Sequence, residues 1–305
     1  MAIKWEGVMP AVTTKFDEND ELDLITFEKN INAQLEAGVS GIILGGTLGE
    51  ASTLTPKEKE SLVKKTLEIT NGKVPVIINI AEQSTKDAIQ VARDAATWGA
   101  QGLMLLPPMR YKATDRETVV YLKEIAKSTS LPIMIYNNPV DYKIEISLKM
   151  FEDLLAECDN IEAVKESTRD ISNVIRLKNK FGDRLKVLCG VDTLALESMV
   201  SGADGWVAGL VAAYPEETVA IYKLVKAGDL KEALRVYRWF MPLLELDISP
   251  QLVQNIKLAE VATGLGTENV RAPRLQLEGA ERKRVLSVIE DAMAKRPTLV
   301  DYKSL

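Results

Sequence analysis

Eight short apolar runs recur along the chain, each separated from the next by an amphipathic or irregular segment. They are "GVMPAVTT" from Gly7, "GIILGG" from Gly41, "VPVIINIA" from Val74, "GLMLLPP" from Gly102, "LPIMIYNNP" from Leu131, "IEAVKES" from Ile161, "LKVLCGVD" from Leu185 and "GWVAGL" from Gly205. Their apolar character is continuous rather than alternating, the pattern of strands covered on both faces. Helix signals fall between them. "TPKE" from Thr55 combines a cap residue, a proline at the first helical position and a glutamate three residues after the cap. "STKD" from Ser84 repeats the signal with Asp in place of Glu. "SLKMFEDLLAE" from Ser147 and "RDISNVIRLKNKFG" from Arg169 have core-facing spacing, the latter ending at Gly182. Eight strands with helices between them predict an α/β fold, a closed (β/α)8 TIM barrel over residues 1–228. An open doubly wound sheet is the alternative, weakened in its dinucleotide-binding form because no Gly-x-Gly-x-x-Gly turn follows the first strand. Additional C-terminal helices begin near Leu230 without a Pro/Ser-rich linker. Residues 229–305 are therefore expected to be a helical extension packed on the barrel, with Trp239, Phe240 and Leu244 in its core.

The composition excludes several chemistries. The 305 residues are 46% hydrophobic and carry a formal net charge of −6, which argues against nucleic-acid or anionic-membrane partners, since both want a basic face. The stretch "MAIKWEGVMPAVTTKF" lacks a signal-peptide core, and no apolar run reaches membrane-spanning length. Cys158 and Cys189 form neither a metal-ligand pattern nor a disulfide framework, so a reducing, cytoplasmic setting is expected. There is no histidine. That removes Ser-His-Asp hydrolysis, Cys-His chemistry and the usual His-rich zinc sites. Proton transfer falls to Lys, Tyr, Asp, Glu, Cys, water or the substrate.

In a barrel of this kind active sites form at the C-terminal strand ends. The second run ends in "GGTLGE", the fifth in "YNNP", the sixth in Lys165 and the seventh in "CGVD". A lysine after an apolar strand is ordinarily a surface residue, yet an ammonium there is costly to desolvate unless something uses it. The glycine turn either binds an anion through its amides or is simply a tight strand-to-helix turn. Tyr136 either relays protons or caps the core. Together these ends read as one site. Partial burial makes Lys165 a neutral nucleophile, Tyr136 and Thr47 move the protons of carbinolamine formation and dehydration, and the turn holds the carboxylate of a 2-oxo or imino acid.

These residues resemble the dihydrodipicolinate synthase/N-acetylneuraminate lyase superfamily over almost the whole chain. "GGTLGE" is similar to its Gly-x-x-Gly-Glu turn, "YNNP" to its Tyr-Asn-x-Pro motif and "VKES" to the strand with the Schiff-base lysine. The resemblance implies Lys165 as nucleophile, Tyr136 as proton shuttle and Thr47 with the Gly46–Leu48 backbone as carboxylate site. Gly190 and Val207 would line the pocket. It also implies a homo-oligomer, a dimer of dimers. Three positions depart from the synthase: Asp141 stands where its arginine grips a second carboxylate, Leu48 replaces a second threonine, and Met109 occupies the place of an interface tyrosine, with Tyr111 out of register. The departures imply that the chain does not make dihydrodipicolinate.

A narrower resemblance joins "PPMRYKATDRET", "YNNPVDY", "CGVDTLALES", "GWVAGLVAAYPEET", "YRWFMPLLELDISPQLVQNIKLAE" and "VRAPRLQLEG" to bacterial 1-pyrroline-4-hydroxy-2-carboxylate deaminases of hydroxyproline breakdown. It implies that Lys165 opens the cyclic imine at C2, that the C4 hydroxyl leaves, and that water releases ammonia and 2-oxoglutarate semialdehyde, with Asn138 or Asp141 contacting the hydroxyl. No metal or organic cofactor is needed for this. Two other readings stand beside it. One is another class I lyase, an aldolase or dehydratase of 2-keto-3-deoxy sugar acids or a dihydrodipicolinate synthase-like enzyme. The other is a non-catalytic barrel that binds a 2-oxo acid.

Overall fold

Each apolar run becomes a parallel strand, and most of the segments between them become helices. The computed structural model describes residues 3–109 and 111–305; the first two residues of the N-terminal stretch and Arg110 of "PPMRYK" lie outside them. In chain order the elements are β1 (Gly7–Pro10), α1 (Leu24–Ala37), β2 (Ile42–Leu44), α2 (Pro56–Thr70), β3 (Val76–Ile80), α3 (Thr85–Trp98), β4 (Gly102–Leu105), α4 (Asp115–Lys127) and β5 (Ile133–Asn137). There follow the short α5 (Pro139–Tyr142), α6 (Leu148–Leu155), β6 (Ile161–Glu166), α7 (Ile171–Phe181), β7 (Lys186–Cys189), α8 (Ala195–Val200), β8 (Gly205–Ala208) and α9 (Pro215–Lys226). Helices α10 (Leu230–Leu244), α11 (Leu252–Ala262) and α12 (Gly279–Ala294) complete the chain. All strand pairs are parallel, β1 pairs with β8 from Gly7↔Gly205 to Pro10↔Ala208, and an Ala11↔Ile43 bridge links β1 to β2. The sheet therefore closes on itself as a (β/α)8 barrel with extra C-terminal helices, and the open-sheet alternative is excluded.

The helix caps follow the local signals. Thr55 and Glu58 form a full capping box on α2, whereas the shorter Asp87 reaches only the Ser84 hydroxyl on α3. One boundary differs from the sequence reading. Helix α7 starts at Ile171 with Asp170 as its cap, leaving Arg169 outside in the left-handed region at φ 65°.

Strand periodicity explains both faces of the barrel. Met9, Ile43, Ile77, Met104, Met134, Ala163, Leu188 and Val207 meet in the barrel interior. Their neighbours, such as Val8, Ile42, Ile78, Leu103, Ile135, Val164 and Val187, pack outward under the helices. A period of two extends the inward rows to the strand ends: Tyr136 comes after Met134, and Lys165 comes after Ala163. Tyr136 and Lys165 are also register partners across β5 and β6. The outward residue Glu166 is held instead by Asn137, Asn173 and the amide of Thr168.

Helix α11 ties the extension to the barrel mouth through buried charge. Glu260 pairs with Lys15 at 2.7 Å, both side chains fully buried, and accepts from Thr13. Lys257 reaches Glu50 of the "GGTLGE" turn at 2.5 Å, and the amide of Arg271 donates to the same carboxylate. Two ions taken out of water compensate each other only while both are present. Glu260→Ala, which strands the Lys15 ammonium, is expected to cost about 3–5 kcal/mol. Urea unfolding of the variant against the parent measures it, and a loss below about 1 kcal/mol would mean that Lys15 is not held by this pair.

Candidate active site

At the C-terminal strand ends lies a cavity of about 80 Å³. Every residue expected from the sequence to form the site lines it: Lys165, Tyr136, Thr47, Gly46, Leu48, Gly190, Val207, Asn138 and Asp141. Ser167, Arg169 and Asp247 line it too, and the sequence reading missed all three.

Lys165 is nearly enclosed, at 8% exposure. Its Nζ lies 4.1 Å from the centre of the Tyr136 ring, and no described carboxylate stands within ion-pair distance. Burial lowers its pKa from the ordinary lysine value, and the acidic groups around it, Tyr142, Asp247 and Asp192, oppose that shift without cancelling it. A greater share of neutral amine at physiological pH is the result. Its stem runs along the backbone of Gly190: a Cβ there would sit 2.6 Å from Lys165 Cγ, 2.7 Å from Lys165 Cε and 2.1 Å from Ser167 Oγ. Any side chain at 190 would displace the lysine.

Tyr136 accepts a hydrogen bond from Asn138 Nδ2 at 3.1 Å, and burial raises its pKa, so the phenol holds its proton. Asn138 is also the cap of α5. Its Oδ1 accepts from the amide of Asp141, and its Nδ2 donates to the Asp141 carboxylate at 2.7 Å. The "YNNPVDY" stretch thus folds into one turn that fixes Tyr136 and Asp141 around a single amide.

The "GGTLGE" turn is shaped from both ends. Gly49 O accepts from Thr14, and Glu50 adopts φ 54° while its carboxylate anchors Lys257. The amides of Thr47 and Leu48 donate to no acceptor among the described residues, and both residues line the cavity. Such amides suit a carboxylate. Thr47 Oγ1 lies 3.0 Å from the hydroxyl of Tyr142. Met109 and Tyr111 do not line this cavity: Met109 faces a neighbouring one, and Tyr111 is 57% exposed.

Asp192, in "CGVD", accepts from Trp206 Nε1 and the amides of Gly209 and Leu210, which locks β7 to β8. Asp247 arrives from the turn after α10 and approaches Gly209. Desolvation, reinforced by Asp192, raises its pKa well above the ordinary aspartate value. Nothing in the run "LLELDISPQ" marks it as a site residue.

The comparisons with known proteins agree on the family. A 4-hydroxy-tetrahydrodipicolinate synthase of Exiguobacterium sibiricum is 35% identical over 276 residues, 90% of this chain and 92% of that protein. The synthase of the same name from Methanocaldococcus jannaschii is 30% identical over 94% of this chain and 98% of its own. The crystal structure of a chloride-inhibited dihydrodipicolinate synthase from Acinetobacter baumannii, complexed with pyruvate, superposes with a TM-score of 0.90 at 26% identity, covering 95% and 99% of the two chains. These relatives overturn the expectation of a 1-pyrroline-4-hydroxy-2-carboxylate deaminase, because both of these curated proteins align over nine-tenths or more of the chain and carry the synthase name. They favour instead the alternative of a dihydrodipicolinate synthase-like enzyme. With the profile of the Dihydrodipicolinate synthetase family matching residues 4–292, the chain belongs to that family.

Proposed function

We propose that this protein is a class I lyase in which Lys165 forms a Schiff base with a 2-oxo acid and makes or breaks a carbon–carbon bond at C3. The observation that carries this is the buried lysine amine without a carboxylate partner, set over Tyr136 at the barrel mouth. The carboxylate of the 2-oxo acid would lie on the Thr47 and Leu48 amides with its ketone carbon facing Nζ. Attack gives a carbinolamine. Proton delivery to its hydroxyl expels water, and loss of a C3 proton gives the enamine that adds to an aldehyde. Tyr136 and Thr47 are the hydroxyls placed to move these protons, with Gly46, Leu48, Gly190 and Val207 as walls.

The relatives' name and the pyruvate bound by one of them favour pyruvate as the 2-oxo acid. Asp141 opposes a second carboxylate on the aldehyde, but Arg169 at the cavity mouth offers it a cation. A second reading, a 2-keto-3-deoxy sugar acid as substrate, is favoured by Asp141, Asn138 and Asp247, which together could hold several hydroxyls. We further propose that the protein works as a cytoplasmic homo-oligomer.

Borohydride reduction in the presence of pyruvate is expected to leave one covalent adduct on Lys165, absent in Lys165→Ala; an unmodified Lys165 would sink the proposal. Aspartate semialdehyde and 2-keto-3-deoxygluconate, assayed in parallel, then separate condensation from sugar-acid cleavage. Gly190→Ala is expected to keep the fold and slow adduct formation by about 100-fold, the scale of a 1 Å misplacement of a reacting group. Unchanged adduct kinetics would mean that the lysine stem tolerates a methyl group.

A further inference from the structure

Tyr142 has no part in the scheme above, yet its position is specific. It is the last residue of α5, and its ring meets Tyr136 edge-on, with centroids 5.6 Å apart and planes at 81°. Its hydroxyl lies 3.0 Å from Thr47 Oγ1. Thr47 borders two spaces: the lysine cavity on one side and, on the other, a cavity of about 370 Å³ that also takes in Lys59, Glu82, Asn79 and Met109. Tyr142 lines the second and not the first. Thr47 thus borders both spaces, and its hydroxyl meets that of Tyr142.

A threonine hydroxyl has one proton to give. If it hands that proton to a substrate oxygen it must take another in the same event, because a free alkoxide is inaccessible near neutral pH. Among the described side chains, the Tyr142 hydroxyl is the group within hydrogen-bond distance of Thr47 Oγ1. Burial pushes the Tyr142 phenol up to about 12, so it stands as a protonated donor.

We propose that Tyr142 is a positioning residue that reloads the Thr47 proton from water in the second cavity, so that the proton path is complete within one chain. The proposal rests on the reading of Lys165 as the imine-forming lysine. When the carbinolamine C–O bond breaks, its oxygen leaves as water with the proton of Thr47, and the nitrogen lone pair forms C=N. Thr47 takes the Tyr142 proton, and Tyr142 takes one from solvent water. That proton balances the one Lys165 sheds to solvent on becoming a free amine.

The test is a quenched time course of borohydride-trappable pyruvate adduct in the full-length protein. A relay changes the rate of imine formation and leaves its equilibrium alone. Tyr142→Phe, which keeps the ring against Tyr136, is expected to slow the initial rate by about 100-fold, the lower end of what a positioned acid–base group supplies, with the end-point unchanged. Thr47→Val interrupts the same path independently. It should slow the rate at least as much, and adding Tyr142→Phe to it should cost nothing further. A wild-type rate in Tyr142→Phe, or an additive double variant, overturns the proposal, and Tyr142 is then a packing residue. If the wild-type protein gives no adduct at any time, the imine reading itself has failed and this inference falls with it.

Discussion

Closing a parallel sheet on itself gives each strand an inside and an outside and leaves no third place for a side chain. In this barrel both faces are dry, so a polar group on a strand must be matched or must sit at the end. The two-residue period then decides which groups converge. Ala163 faces inward, so Lys165 does too; Met134 faces inward, so Tyr136 does too; the register between β5 and β6 sets these side by side. Burial that makes the barrel stable is thus the same burial that depresses the basicity of Lys165.

Among the described residues three lysines are deeply buried, and their surroundings separate two uses of the same group. Lys15 and Lys257 each meet a carboxylate at hydrogen-bond distance, Glu260 and Glu50, and their charge is balanced where it lies. Lys165 has an aromatic face and more distant acidic groups instead. Burial lowers the basicity of all three amines, but ion pairs hold those of Lys15 and Lys257 against their carboxylates, whereas no described carboxylate holds that of Lys165. The paired lysines are fasteners between barrel and extension. The unpaired one is available for attack on a carbonyl carbon.

Much of this was legible in the sequence. The strand runs, the box at Thr55 and Glu58 and the lysine at a strand end each depend on local spacing, and spacing is what a sequence displays. The missed features are long-range. Asp247 enters the site from a turn after α10, and the partners of Glu50 and Glu260 lie more than two hundred residues away. Tyr142 belongs to the "YNNPVDY" motif, yet the motif does not show its partner. Its approach to Thr47 depends on the Asn138 cap that turns α5, whereas Met109 and Tyr111, the positions that the family resemblance singles out, stay clear of the lysine cavity. Arg169 looks like the first residue of a helix, and the Asp170 cap leaves it outside at the cavity mouth.

The overturned deaminase expectation has a physical cause in what the shared motifs do. Glu50 in "GGTLGE" anchors α11, Asn138 in "YNNP" caps α5, and Asp192 in "CGVD" joins β7 to β8. Such residues build the scaffold that holds an imine-forming lysine, and a scaffold is common to many substrates. On the proposed reading, the cavity residues left to meet the part of the substrate beyond C3 are Asp141, Arg169 and Asp247, which differ in sign and come from three separate segments. A carboxylated aldehyde would depend on Arg169 outweighing Asp141. A polyhydroxy acid would instead use both carboxyl groups as hydrogen-bond partners. On this reading substrate choice would be set by a few charges at the rim, and not by the scaffold residues Glu50, Asn138 and Asp192.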